Sequence, residues 1–287
     1  MTSAQELHRD LLAALTLAEG DDGVLRAPYF SAGRGVVFGG QLLGQAIVAA
    51  DRRIPGKRVK SVQMVFARGV IVAEPADIVV EPMHDGRTIA SATVSFLQGG
   101  RTCARCLILC DIEEPDLVRW QIPMPDVAPP DPAEARPHAL TAPETIVVDN
   151  VDVNDPGLIG PALLQLWVRF PEAPRDDALQ RALLAHTTDG WLIATAMRPH
   201  PDLGQAMAHT QVSTGVLTQS LSFHSPVDVR EWLLIDHEVL ATGAGRTYGR
   251  GHIFTDDGQL VASFVQEALL RRFPAGQDPR GKQRTIF

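Results

Sequence analysis

The chain of 287 residues exceeds what one compact core usually needs, so one large or two medium domains are expected. Its 45% hydrophobic and 21% charged residues are those of a globular protein, and a formal net charge of -8 excludes a general nucleic-acid binder, which needs a basic surface. No apolar run approaches the roughly 18 residues of a spanning helix, no secretory leader is visible, and three cysteines cannot build a disulfide framework. A cytoplasmic protein without membrane insertion is therefore expected.

In chain order, residues 6–17 read as an amphipathic helix used for packing. Residues 38–50 are apolar at helical spacing with small residues on one side, and predict a second helix. Strands are expected at 62–72, 77–80 and 102–109, with a hairpin turn at Gly99. Seven of the 21 prolines then fall between Pro123 and Pro143, which forbids helix and removes ladder donors. This gives a first domain at 1–115, a proline-rich linker at 116–144 and a second domain at 145–287. In the second domain, residues 177–197 are helical in pattern, interrupted near Thr187-Thr188-Asp189-Gly190, and strands are expected at 216–229, 233–239 and 261–268.

The same elements thus occur twice in the same order. Gly86-Arg87-Thr88 matches Gly245-Arg246-Thr247 at an offset of 159 residues, Gly99 matches Gly258 at the same offset, and Phe66 matches Phe223 at 157. A helix followed by an antiparallel meander, present twice, implies duplication of one α+β unit. Pairing the two units side by side would cover an edge that each leaves exposed.

These residues also carry a resemblance. Val37-Phe38-Gly39-Gly40-Gln41 with Gly44-Gln45, then Ser222-Phe223-His224 with Glu231-Trp232-Leu233-Leu234, then Asp257-Gly258 with Val261-Ala262-Ser263 and Val265-Gln266-Glu267, resemble the motifs of TesB-like type II acyl-CoA thioesterases, in order, over most of residues 20–270. The resemblance implies an α+β double hot-dog fold: two tandem helix-plus-antiparallel-sheet repeats forming one continuous sheet. It implies hydrolysis of a fatty-acyl-CoA to free fatty acid and coenzyme A, with no cofactor beyond the coenzyme A of the substrate, and a homo-oligomer. In that family an Asp, a hydroxyl and a Gln hold the attacking water.

By the same resemblance Asp189 is the expected carboxylate; read from its neighbours alone, an Asp-Gly pair is a helix cap. Gln266 is the expected amide, against a surface strand residue. The hydroxyl departs from the pattern, because Val216 stands where the family has Thr or Ser. Alternation along the strand puts Thr218 and Ser220 on the face of Val216, and Thr214 enters if a local insertion follows it. Thr218 is the choice made here. Gly39 and Gly40 would let a thioester approach backbone N–H groups, or would let helix and sheet pack closely; Gln41 is grouped with them as substrate-binding. The basic run from Arg52 to Lys60 is a solvated loop, or a partner for the coenzyme's phosphates.

Cys103, Cys106 and Cys110 lack a fourth cysteine and read as a buried strand, so no metal is expected. There is no Gly-x-Ser-x-Gly elbow of an α/β-hydrolase. Two other functions compete: a non-catalytic acyl-CoA sensor, favoured by Val216, and an enoyl-CoA hydratase on the same fold. The hydratase needs an Asp–His pair, and Ile193 and Ala194 occupy the helical positions after Asp189.

Overall fold

The computed structural model describes residues 4–30, 35–138 and 144–273; linker residues 139–143 and the C-terminal residues 274–287 lie outside them. The first half comprises α1 (Ala4–Leu15), β1 (Ala18–Glu19), β2 (Leu25–Arg26), α2 (Gly39–Arg53), β3 (Arg58–Phe66), β4 (Asp77–Asp85), β5 (Ile89–Gln98) and β6 (Arg101–Asp111). The second comprises β7 (Arg136–Pro137), β8 (Glu144–Val147), β9 (Leu163–Arg169), α3 (Asp177–Thr187), α4 (Leu192–Met197), β10 (Val212–Phe223), β11 (Leu233–Gly243), β12 (Arg246–Thr255) and β13 (Leu260–Arg272). These strands form one antiparallel sheet in the order β1-β2-β4-β5-β6-β3-β10-β13-β12-β11-β9-β8-β7.

The halves join where β3 pairs with β10, from Ser61 opposite Ser222 to Val65 opposite Thr218. Each half thereby closes an edge of the other. The strands alternate as one-sided sheets should: Val62, Met64 and Phe66 point inward from β3, as do Cys106, Ile108 and Cys110 from β6. On the inner side lie α2 and α3. Eleven of the 15 residues of α2 are buried, so it is a core helix held between sheet and neighbour rather than a surface one. A Cβ on Gly40 would stand 2.4 Å from the His186 carbonyl oxygen, and one on Gly44 would stand 3.0 Å from that of Ala182. These two glycines, one turn apart, let the backbones of α2 and α3 approach.

The duplication is real, but its register differs from the expected one. Two β-bulges recur at an offset of 157, Lys60 with Leu217 and Met83 with Leu240, and the pairing of Asp85 with Ala90 matches that of Thr242 with Thr247 at the same offset. In the last strand of each half the bulged residues are Cys103 and Val261, an offset of 158. The Gly-Arg-Thr recurrence at 159 is therefore out of structural register. The two turns are of equal length, with four residues between Asp85 and Ala90 and four between Thr242 and Thr247, so the two triplets sit at different places around equivalent turns.

Part of the proline-rich segment crosses the outer face of the second half. Ile122, Met124 and Val127 pack there on Ile146, Trp167, Trp232, Leu234 and Phe254. The Trp167 indole donates to the Ala128 carbonyl at 2.9 Å, and Gln121 bonds both Gly258 and Leu260 at the tip of the β12–β13 hairpin. Among the described residues no helix is long and apolar enough to cross a membrane.

Candidate active site

The interruption of the second helical segment makes the site. Helix α3 ends as Thr187 and Thr188 turn their hydroxyls back onto the Leu184 and Ala185 carbonyls, both at 2.7 Å. Such back-bonding favours termination. Asp189 follows, 5% exposed. It is not the cap of α4, where Trp191 holds that position without a side-chain bond. Instead Oδ2 accepts the Gly40 N–H at 2.8 Å and Oδ1 accepts from Gln266 Nε2 at 3.3 Å. The N-terminus of α2, in the first half, thus meets a carboxylate of the second, where the helix dipole favours negative charge.

Gly39 and Gly40 do different work at this contact. Gly40 supplies the N–H and the close approach to α3. A Cβ on Gly39 would lie 2.8 Å from Asp189 Oδ2 and 3.1 Å from the Phe66 ring. Gln41 lies elsewhere: its Oε1 accepts the Phe30 N–H at 3.0 Å and its Nε2 donates to the Pro28 carbonyl at 3.4 Å. Its amide braces the segment before α2 and does not line the cavity beside Asp189.

Gln266, on β13, is completely buried. By the observed register its counterpart in the first half is the inward-facing Ile108, not the exposed Leu107 that an offset of 159 gives. The hydroxyl expectation meets a correction. Leu217 is bulged between Val216 and Thr218, so two consecutive residues face outward and the alternation changes phase. Thr218 pairs with the exposed Val65, and Ser220 with Gln63, on the outer face. Gln219 turns inward in their place, 1% exposed and directly opposite Gln266. Gln219 Oε1 accepts from Gln266 Nε2 at 2.9 Å, and Gln219 Nε2 donates to the Thr188 hydroxyl. Gln219 and Thr188 were both missed by sequence reasoning; strict alternation puts Gln219 outside, and only the bulge reverses that.

Next to Asp189 is a cavity of about 100 Å³, lined among others by Phe66, Val70, Ile193, Thr214 and Val216, with Arg68 also at its wall. Thr214 is 4% exposed, with its hydroxyl 3.5 Å from His209 Nε2. Val216, where a hydroxyl was missing, faces this cavity too. The basic run is engaged with neighbours: Lys57 pairs with Asp85, Arg53 with Glu19, and Arg58 with Asp111 and Glu113, while Lys60 donates to the Phe223 carbonyl. The three cysteines are free and buried in β6, and burial pushes the thiol of Cys106 up to about 12 and that of Cys110 up to about 11. Among the described residues no three His, Cys, Asp or Glu side chains group as metal ligands.

Two family models match the chain: an acyl-CoA thioesterase N-terminal domain over residues 26–110 and an acyl-CoA thioesterase C-terminal domain over residues 123–270. The chain is 29% identical to acyl-CoA thioesterase 2 of Haemophilus influenzae, over 93% of this chain and 98% of that protein. The crystal structure of the acyl-CoA thioesterase II TesB2 from Mycobacterium marinum superposes with a TM-score of 0.76 at 26% identity, over 93% of this chain and all of the other. A hot-dog protein from Alicyclobacillus acidocaldarius shares the fold, with a TM-score of 0.74 at 18% identity over 95% and 100% of the two chains.

Proposed function

Because the chain belongs to the acyl-CoA thioesterase family, a family of thioester hydrolases, we propose that it hydrolyses fatty-acyl-CoA with Asp189 as the general base and Gln266 as its partner. The supporting observation is a buried carboxylate, held by an N–H of the opposite half, on the wall of a largely apolar cavity. In this reading water attacks the thioester carbonyl as Asp189 takes its proton. A C–O bond forms, the C–S bond breaks, and the proton passes on to the departing thiolate. The thiolate of coenzyme A leaves readily enough that the reading needs no metal and no cofactor besides the substrate's own coenzyme A. Thr214 shares the cavity wall with Asp189 and is the proposed hydroxyl; Thr218, on the outer face, has no part. The exposed Val65, Leu107 and Leu109 on that outer face support a homo-oligomer.

The test is release of free thiol from acyl-CoAs of varied chain length, followed with a chromogenic reagent. Asp189→Asn is expected to lower kcat about 100-fold or more, the usual weight of a positioned base. Unchanged turnover in that variant would sink the assignment. Val216 favours one second reading, an acyl-CoA sensor, and binding by the natural protein without thiol release at any chain length would establish it.

A further inference from the structure

We propose that Gln219 and Thr188 are positioning residues that fix which end of the Gln266 amide is presented to the attacking water, an inference that rests on the hydrolase reading above. The direction of the chain follows from which groups can donate. The Ala185 carbonyl only accepts, so the Thr188 hydroxyl gives it its proton at 2.7 Å. The Thr188 oxygen is then an acceptor, and Gln219 must face it with its NH2 group. Gln219 must therefore face Gln266 with its carbonyl oxygen, and Gln266 must answer with NH2, at 2.9 Å. Asp189 Oδ1 independently demands the same NH2 group, at the longer distance of 3.3 Å.

One atom is left over. Gln266 Oε1 is buried and has no hydrogen-bond partner among the described residues. A buried acceptor is costly to leave unsatisfied, and such exceptions need a reason. Here the reason is chemical: Oε1 is the acceptor for one proton of the attacking water, while Asp189 takes the other. Asp189 alone cannot hold this arrangement through turnover. Once it has taken the proton one of its oxygens can donate, and its demand for the Gln266 NH2 group weakens. Gln219 keeps that demand, because its own orientation is set by a helix carbonyl that does not titrate. All three side chains are buried, so a broken link strands polar groups out of reach of bulk solvent.

The test compares steady-state thiol release across pH for the natural protein and three variants. Gln219→Leu and Thr188→Val are expected to lose about 100-fold in kcat with KM little changed, the size carried by a small misplacement of a reacting group. Gln219→His is the diagnostic. A neutral imidazole accepts on one nitrogen and donates from the other, so it can replace the amide and restore turnover at high pH. Its protonation turns both nitrogens into donors, so this variant gains an acidic limb, below the pH of about 6.5 of a free imidazole because the position is buried, that the natural protein lacks. A merely structural role would not create that limb. Natural kcat in Gln219→Leu, or a Gln219→His profile that parallels the natural one, would overturn the relay. If Gln219→Leu fails to fold, the other two variants decide it. Absence of thiol release from the natural protein would instead strike at the hydrolase reading itself.

Discussion

His237 lies wholly inside the second half, where Nδ1 donates to the Leu164 carbonyl at 3.2 Å and the ring meets Phe264 edge-on at 5.6 Å. Its Nε2 is buried without a partner among the described residues, so a second proton would stand in an apolar site. Burial therefore pushes its pKa down to about 4, from an ordinary 6.5. A depressed histidine binds its proton in the unfolded chain first. Stability is then complete above pH 6.5, falls as pH drops from 6.5 to 4, and changes no further from this source below that. The drop is about 3 kcal/mol, at about 1.4 kcal/mol per pH unit. Urea denaturation at several pH values is expected to show it, and His237→Gln, which retains a donor for Leu164 but does not titrate, is expected to flatten it. At this same scale Asp189 and Gln266 were singled out by the resemblance, since the neighbours of Asp189 alone read as a helix cap, and the structure adds that the two side chains meet. The inward face of Gln219 was not legible, since its neighbours Thr218 and Ser220 are as polar as it is.

Between elements, the α2–α3 contact is the most exacting. The obstacle at Gly40 is a helix carbonyl that cannot move without shifting α3, whereas the nearest atom at Gly44 is the Leu15 side-chain tip at 2.7 Å, which can turn away. Gly40→Ala is thus expected to destabilise by about 3 kcal/mol and Gly44→Ala by about 1 kcal/mol, the range of overpacking in a close-packed core. Thermal unfolding of the two variants checks the order; equal losses would contradict it. The helices and most strands were readable from their periodicity, and Gly99 and Gly258 from turn chemistry, both with positive φ. The bulges at Lys60 and Leu217 were not, because an extra residue in a strand leaves no mark in composition and declares itself only through the partner strand. The expectation for Thr218 failed at that point: i and i+2 share a face only where the ladder is unbroken.

For the molecule as a whole, the β3–β10 seam and the α2–α3 contact make the halves one core, since Val62, Met64, Leu221 and Phe223 belong to the same buried cluster. Heat unfolding is expected to follow a single transition, with calorimetric and van't Hoff enthalpies in agreement; two resolved transitions would show halves that fold apart. The repeat that builds this core was visible in the sequence as a recurring order of elements, whereas its register needed the sheet, because the two Gly-Arg-Thr triplets fall at different positions around turns of equal length. The Gly40–Asp189 bond has a consequence for how such a chain can evolve. The carboxylate belongs to the second repeat, at residue 189 of 287, and its N–H to the first, at residue 40, so recombination that swaps one repeat for a relative's exchanges only one partner of the pair. A hybrid would keep this contact only where the incoming repeat brings a residue without a side chain to position 40, which ties the histories of the two repeats together long after the copying event that separated them.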